Sequence, residues 1–293
     1  MKKTGIICFV LLLASVASAR IRIVASTTDL AYLAEQIGGD LVKTESLTRP
    51  EADLHFVDVR PSYMVRVGRA DIVLRVGLEL DLWMGRIIDG SRNNELRNID
   101  CSRYVKPLEV PNQQADARFG DIHRFGNPHY WLSPENLQPM TDAITEALVN
   151  SDPENADRYR DGQQRLLSDI SAQLKMIKAK VDSLRGHQII YYHNSWPYFN
   201  AYTGQEAAGF VEPFPGVPPS PSHIKKLMGL IRDRDIRIIA VEPYHDRRVP
   251  DRIASETDCR VVVLYPSIGG RQEGESYIEW FEGNVDALLE VFR

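Results

Sequence analysis

The stretch IRIVASTTDLAYLAEQIGG, residues 21–39, decides the fold. Its first seven residues carry the β-branched, largely apolar run of a buried strand. The remainder has helical spacing of apolar residues and stops at Gly38-Gly39, a helix-terminating pair. Working outward, the same alternation recurs. LVKTESLT (41–48) reads as a second strand, residues 61–70 as a helix, DIVLRVG (71–77) as a strand and DLWMGRIIDGS (81–91) as a helix. A strand over residues 99–105 and a helix starting near Pro134 close the first half. After Gly186 the rhythm resumes with HQIIYYH (187–193), a helix over SWPYFNAYTG (195–204) and a short strand AAGFV (207–211). The five prolines of residues 211–222 indicate a stiff ordered loop, with Ser220 or Ser222 capping a helix over HIKKLMGLIRDR (223–234). IRIIAVE (236–242), a helix over 249–257, RVVVLYP (260–266) and an amphipathic helix from Glu275 complete the chain. Apolar strands alternating with helices imply parallel sheets covered on both faces. The expected fold class is α/β, in two lobes.

Between the halves the strand signal vanishes. Leu166, Ile170, Leu174, Ile177, Val181 and Leu184 recur in steps of three and four and define one helical face. A helix over residues 153–184 would be about 48 Å long and run the length of a two-lobed molecule. With no Gly/Ser tract it reads as a rigid spine. The expected organisation is a leader over 1–19, a first lobe over 20–150, a spine over 151–185 and a second lobe over 186–293.

The leader has a charged start at Lys2 and Lys3, a short apolar core and a small-residue cleavage site at Ala17-Ser18-Ala19. The chain is therefore expected to be exported, with a bacterial periplasm as its compartment. Cys8 lies early in the apolar run, away from the cleavage point, which argues against a lipid anchor. The net charge of −5 becomes two units more negative once Lys2 and Lys3 leave, giving no support for nucleic acid or an anionic membrane as partner. Cys101 and Cys259 fall in different halves, and spacing alone does not say whether they pair.

Three histidines carry the functional signal: His55 in RPEADLHF, His129 in GNPHYWLSP and His193 in IIYYHNSWPYF. Imidazole is the commonest protein ligand for zinc and its neighbours. In open parallel sheets ligands bind beyond the carboxyl ends of the strands, where His193 and Glu242 sit. His55 and His129 lie on loops of the first lobe. Separations of 74 and 64 residues match no short metal motif, so spacing leaves a metal site and ordinary loop histidines about evenly matched.

The segments around these histidines resemble the substrate-binding proteins of zinc and manganese ABC importers, the ZnuA/TroA-like class. The resemblance spans the mature chain, through IVASTTDLAYLAEQIGGD, DLHFVDVRPS, NPHYWLSPEN, HNSWPYF and IAVEPYHD. It implies that His55, His129 and His193 are metal ligands and that the cargo is Zn²⁺ rather than Mn²⁺, since nitrogen donors suit zinc. It implies a membrane permease with its ATPase as partner, a monomer, and no enzymatic activity. Where the family often has an aspartate in a Leu-Asp-Pro segment, this chain reads Leu264-Tyr265-Pro266. Glu242 is the expected fourth donor, with His245, Tyr265 or water as alternatives. The family's long metal-collecting loop is here the short segment 111–127 with His123, Asp116 and Asp121, which reads as an ordinary surface loop. His187 and His223 read as structural. Trp131, Trp196, Tyr192, Tyr198 and Phe199 would either shield the site or fill the core. A stiff spine implies modest closure. The rival reading is a secreted zinc hydrolase with Glu242 as base; no H-E-x-x-H or nucleophile motif supports it.

Overall fold

A computed structural model describes residues 20–111, 123–214 and 216–293. The leader lies outside the described residues, as do Asp116 and Asp121. The first lobe contains β1 (Ile21–Ala25), α1 (Thr28–Gly38), β2 (Val42–Ser46), α2 (Pro61–Val67), β3 (Ile72–Arg75), α3 (Trp83–Ser91), β4 (Arg97–Asp100) and α4 (Leu137–Ser151). Then follow α5 (Ala156–Met176) and α6 (Lys178–Asp182). The second lobe contains β5 (Gln188–Tyr191), α7 (Pro197–Thr203), β6 (Glu206–Phe210), α8 (Pro221–Asp233), β7 (Ile238–Val241), α9 (Arg248–Ser255), β8 (Arg260–Val263) and α10 (Tyr277–Leu289).

Both sheets are parallel and share one topology: β2-β1-β3-β4 and β6-β5-β7-β8. The fold is thus the expected two-lobed α/β arrangement. The strand order reverses beside β1 in one sheet and β5 in the other, which places a crevice at their carboxyl ends. Alternation along the strands sorts side chains between layers. Ile23 and Ala25 enter one large core while Val24 packs with Val67, Met84 and Ile87 on the other face. In the second sheet Ile189, Tyr191, Ile238 and Ala240 join that same large core, and Ile190 and Ile239 face a separate cluster. The inner faces of both sheets therefore share one continuous apolar interior.

The spine is helical but not continuous. Ile177 leaves helical geometry at φ −93°, ψ 4°, between α5 and α6. The bend lets Ile177, Val181 and Leu184 stay in the common core while Lys180 reaches Glu282 and Asp286 on α10. Gly162 marks where α5 crosses α1: a Cβ there would lie 2.2 Å from the Ile37 carbonyl oxygen. A second difference concerns β4, which ends at Asp100 rather than running to residue 105. Asp100 accepts the Ser102 amide at 3.1 Å and turns Cys101–Tyr104 into a 3₁₀ segment. Cys101 and Cys259 are both buried and unpaired. Among the described residues no helix is long and apolar enough to cross a membrane.

The lobes are stitched together near the crevice. Thr28 donates to the Ile268 carbonyl at 2.9 Å, Asp29 accepts the Ile268 amide at 3.0 Å, and the Trp131 indole donates to the Pro266 carbonyl at 2.7 Å. Asn127 donates to the Asn194 carbonyl at 2.8 Å, and the Tyr198 hydroxyl donates to the Asn127 carbonyl at 2.7 Å.

Candidate metal centre

His55 follows β2, His129 lies between β4 and α4, and His193 lies just past the end of β5. The first two are held by the same local device. The Asp53 carboxylate accepts both the backbone amide and Nδ1–H of His55, each at 2.9 Å. The Asn127 side-chain oxygen accepts the backbone amide of His129 at 3.0 Å and its Nδ1–H at 2.9 Å. An acceptor two residues upstream therefore fixes the ring and the chain together, as short Asp and Asn side chains do in turns. His193 Nδ1 instead meets Glu212 Oε2 at 3.1 Å, across the loop that follows β6.

These oxygens accept but do not donate, so Nδ1 carries the proton in each neutral ring and Nε2 keeps its lone pair. The three rings converge. One ligand atom from each of His55, His129 and His193 lies within 4.8 Å of the other two. Ring centroids are 5.3 Å apart for His55–His129, 5.0 Å for His55–His193 and 5.7 Å for His129–His193. Imidazoles around a tetrahedral ion at about 2.0–2.1 Å per bond would put their centroids roughly 5.2 Å apart. The His55 Nε2 is buried and has no hydrogen-bond partner among the described residues. That is an unsatisfied acceptor beside two further imidazoles, an arrangement a cation resolves.

Electrostatics favour neutral, coordinating rings in part and oppose them in part. Burial, reinforced by His55 and His193, pushes His129 well below the ordinary histidine range. Burial acts the same way on His193, but the Glu212 hydrogen bond and the charges of Glu242 and Glu212 outweigh it and raise that ring. Burial would raise Asp53, yet its hydrogen bonds and charge interaction with His55 hold it below the usual carboxylate range.

Glu242 stands outside this group of ligand atoms. Its Oε1 accepts the Trp196 indole at 2.9 Å, and its Oε2 faces His245 Nε2 at 3.5 Å. His245 stacks on Tyr192 with centroids 4.1 Å apart, and its ring is 6.2 Å from His193. The main chain of Tyr265 is held by Trp280 and Asn284, and its side chain packs against the common core. Of the nearby aromatics, Trp131 lies 5.3 Å from the His129 ring and, like Trp196, Tyr198 and Phe199, belongs to the core. His187 stacks on Phe292 and His223 meets the Phe210 carbonyl at 2.9 Å; neither belongs to the group of ligand atoms.

Three side chains went unread in the sequence, Asp53, Asn127 and Glu212, and a fourth, His123, falls in a segment that reads as an ordinary surface loop. The first two were visible as an acidic or amide residue two positions before a histidine, occurring twice. Glu212 is 19 residues from His193 and carried no local signal. His123, expected on an ordinary surface loop, has its ring 5.3 Å from that of His55. A cavity of about 230 Å³ opens beside the centre, lined by Glu109, His123, His129, His193, Asn194 and Glu212 among others.

Residues 23–291 match the sequence profile of a family described as zinc-uptake complex component A, periplasmic. Similar proteins include the iron-binding protein YfeA of Yersinia pestis, 23% identical over 93% of this chain and 86% of its own. They include the manganese-binding lipoprotein MntA of Halalkalibacterium halodurans, 22% identical over 92% of this chain and 87% of its own. The high-affinity zinc uptake system protein ZnuA of Yersinia pestis is 23% identical over 83% of this chain and 82% of its own. Among solved structures, a crystal structure of ZnuA superposes with a TM-score of 0.77 at 22% identity, covering 92% of this chain and 96% of that one. A manganese-bound periplasmic metal-binding protein from Candidatus Liberibacter asiaticus gives 0.78 at 18% identity, covering 94% and 100%.

Proposed function

The chain belongs to the periplasmic zinc-uptake component A family of metal-binding ABC-importer proteins, and from that premise we propose that its cargo is Zn²⁺, captured by His55, His129 and His193. The carrying observation is the convergence of three buried imidazoles whose Nδ1 atoms are each held by an oxygen. Nitrogen donors favour zinc over manganese, which prefers oxygen-rich sites. Relatives named for iron and manganese mark the alternatives that a metal assay has to separate.

In this reading the protein carries and does not catalyse. It is exported, with 1–19 as the leader, and works as a monomer with lobes over 20–150 and 186–293 joined by the spine over 151–185. The loaded form docks on a permease coupled to an ATPase and surrenders the ion there. Glu242 serves as a buried counter-charge behind His193 rather than as the base of a hydrolase: its two oxygens face Trp196 and His245. The test is elemental analysis of the purified protein, with competition among Zn²⁺, Mn²⁺ and Fe²⁺, repeated on His55→Ala, His129→Ala and His193→Ala. One zinc per chain, lost in each variant, is expected. Preferential manganese uptake refutes the cargo, and full retention by any variant removes that ligand.

A further inference from the structure

Three imidazoles leave one corner of a tetrahedral ion open. The residues expected to fill it have other partners: Glu242 faces Trp196 and His245, and Tyr265 packs against the common core. His245 lies 6.2 Å from one ligand ring and directs Nε2 at Glu242. One further imidazole stands beside the centre, its nitrogens just outside the group of ligand atoms that lie within 4.8 Å of one another. The His123 ring is 5.3 Å from that of His55, the same separation as His55 from His129, and 6.4 Å from that of His129. Against the roughly 5.2 Å spacing of rings about a tetrahedral ion, one of these distances already fits and the other is about 1 Å long.

The backbone around His123 is held in a way that aims the ring. Its carbonyl accepts the Gly126 amide at 3.2 Å, closing a turn that Gly126 completes at φ +110°. Immediately after it, Asn127 begins the device that orients His129. Within the same turn Arg124 is clamped to Glu79 through its backbone amide at 2.9 Å, Nε at 3.0 Å and Nη2 at 2.7 Å. His123 thus precedes two anchored residues, Arg124 and Asn127, on the wall of the cavity that His129 and His193 also line.

We propose that His123 supplies the fourth donor, so that the ion is held by four imidazoles and closure of this turn by about 1 Å accompanies loading. The inference rests on the reading of His55, His129 and His193 as the metal site. It explains how the chain dispenses with a coordinating carboxylate: the ion's charge is offset by Asp53 and Glu212, each one ring away through a ligand histidine. A four-nitrogen shell sharpens discrimination against manganese.

The experiment is X-ray absorption on the zinc-loaded full chain, beside His123→Ala and His123→Gln, with zinc affinity from chelator competition. Four imidazole scatterers are expected in the parent and three plus an oxygen in both variants. Affinity should fall by about 100-fold or more, at or beyond the top of the range for losing an outer hydrogen-bond partner of a ligand. The glutamine variant keeps side-chain bulk on the turn, so a drop shared by both variants is not a packing effect. A parent spectrum with three imidazoles, or variant spectra the same as the parent's, overturns the role of His123 while leaving the three-histidine site standing. A parent that takes up no zinc overturns that site and this inference with it.

Discussion

Replacing Glu212 by Gln removes a charge from the metal centre while leaving an oxygen that accepts the His193 Nδ1–H. The carboxylate lies 3.1 Å from Nδ1, and both side chains are nearly shielded, at 12% and 8% exposure. Counting across the ring, a coordinated ion would sit about 7 Å from the carboxylate. At an effective dielectric of 20 a divalent ion there gains roughly 5 kcal/mol, an upper bound on what the charge contributes. Losing an outer partner of a metal-bound histidine costs 10–100-fold, or about 1.4–2.7 kcal/mol. The expected loss of zinc affinity at pH 8 is therefore about 10–100-fold. The same substitution acts oppositely on the competing proton. Glu212 raises the His193 pKa, and zinc must displace any proton held there. Without that charge His193 stays neutral to lower pH, so the pH at which affinity begins to fall moves down. The gap between variant and parent should narrow from pH 8 to pH 5.5. Chelator competition across that range, with His193 followed by NMR in the metal-free chain, measures both effects. A gap that widens on acidification, or an unchanged affinity at pH 8, refutes the reasoning.

Asp29 is buried and pushed up to about 7 by desolvation, so the folded state binds its proton more tightly than the unfolded state does. Its ionisation thus costs nothing below the unfolded value near 4 and builds to a full penalty above pH 7, up to about 4 kcal/mol. Asp29→Asn retains the acceptor for the Ile268 amide and should raise stability at pH 8 but not at pH 4, read from urea midpoints. Gly162→Ala places a methyl 2.2 Å from the Ile37 carbonyl and should destabilise by about 1–3 kcal/mol as α5 is levered off α1; an unchanged midpoint would show that the crossing is slack. Cys101 and Cys259 are buried, and burial raises both thiols. A thiol reagent should label neither in the native protein and both after denaturation, whereas native labelling of Cys101 would contradict its place in the core.

The fold was legible because its strands are short β-branched runs and its helices end at glycines such as Gly38 and Gly204. Local propensity and tertiary packing agree there. They part company at Ile177, where periodicity continues but the chain bends to hold both lobes, and at Asp100, whose side chain ends β4 early. The three histidines were singled out largely through resemblance, since their separations carry no motif, and the fold brings them together. Asp53 and Asn127 left a faint trace in the repeated acceptor-x-His pattern. Glu212 left none, because it reaches the centre from a distant loop; His123 was visible six residues before His129, but its segment reads as an ordinary surface loop. Glu242 shows how a distant partner alters such a reading. Its position after β7 is right for a ligand, but Trp196, 46 residues away, claims one of its oxygens.

The apolar interior common to both sheets bears on how the molecule comes apart. With Ile23, Ile189 and Leu166 in one interior, neither sheet can lose its packing and leave the other intact. The chain should melt in one cooperative transition, with calorimetric and van't Hoff enthalpies equal. Cargo at the crevice would then reinforce every residue at once: a metal ion at 1,000 times its dissociation constant would add about 4.1 kcal/mol to the whole fold. A carrier built this way resists proteolysis when loaded and becomes a better protease substrate once its ion has gone.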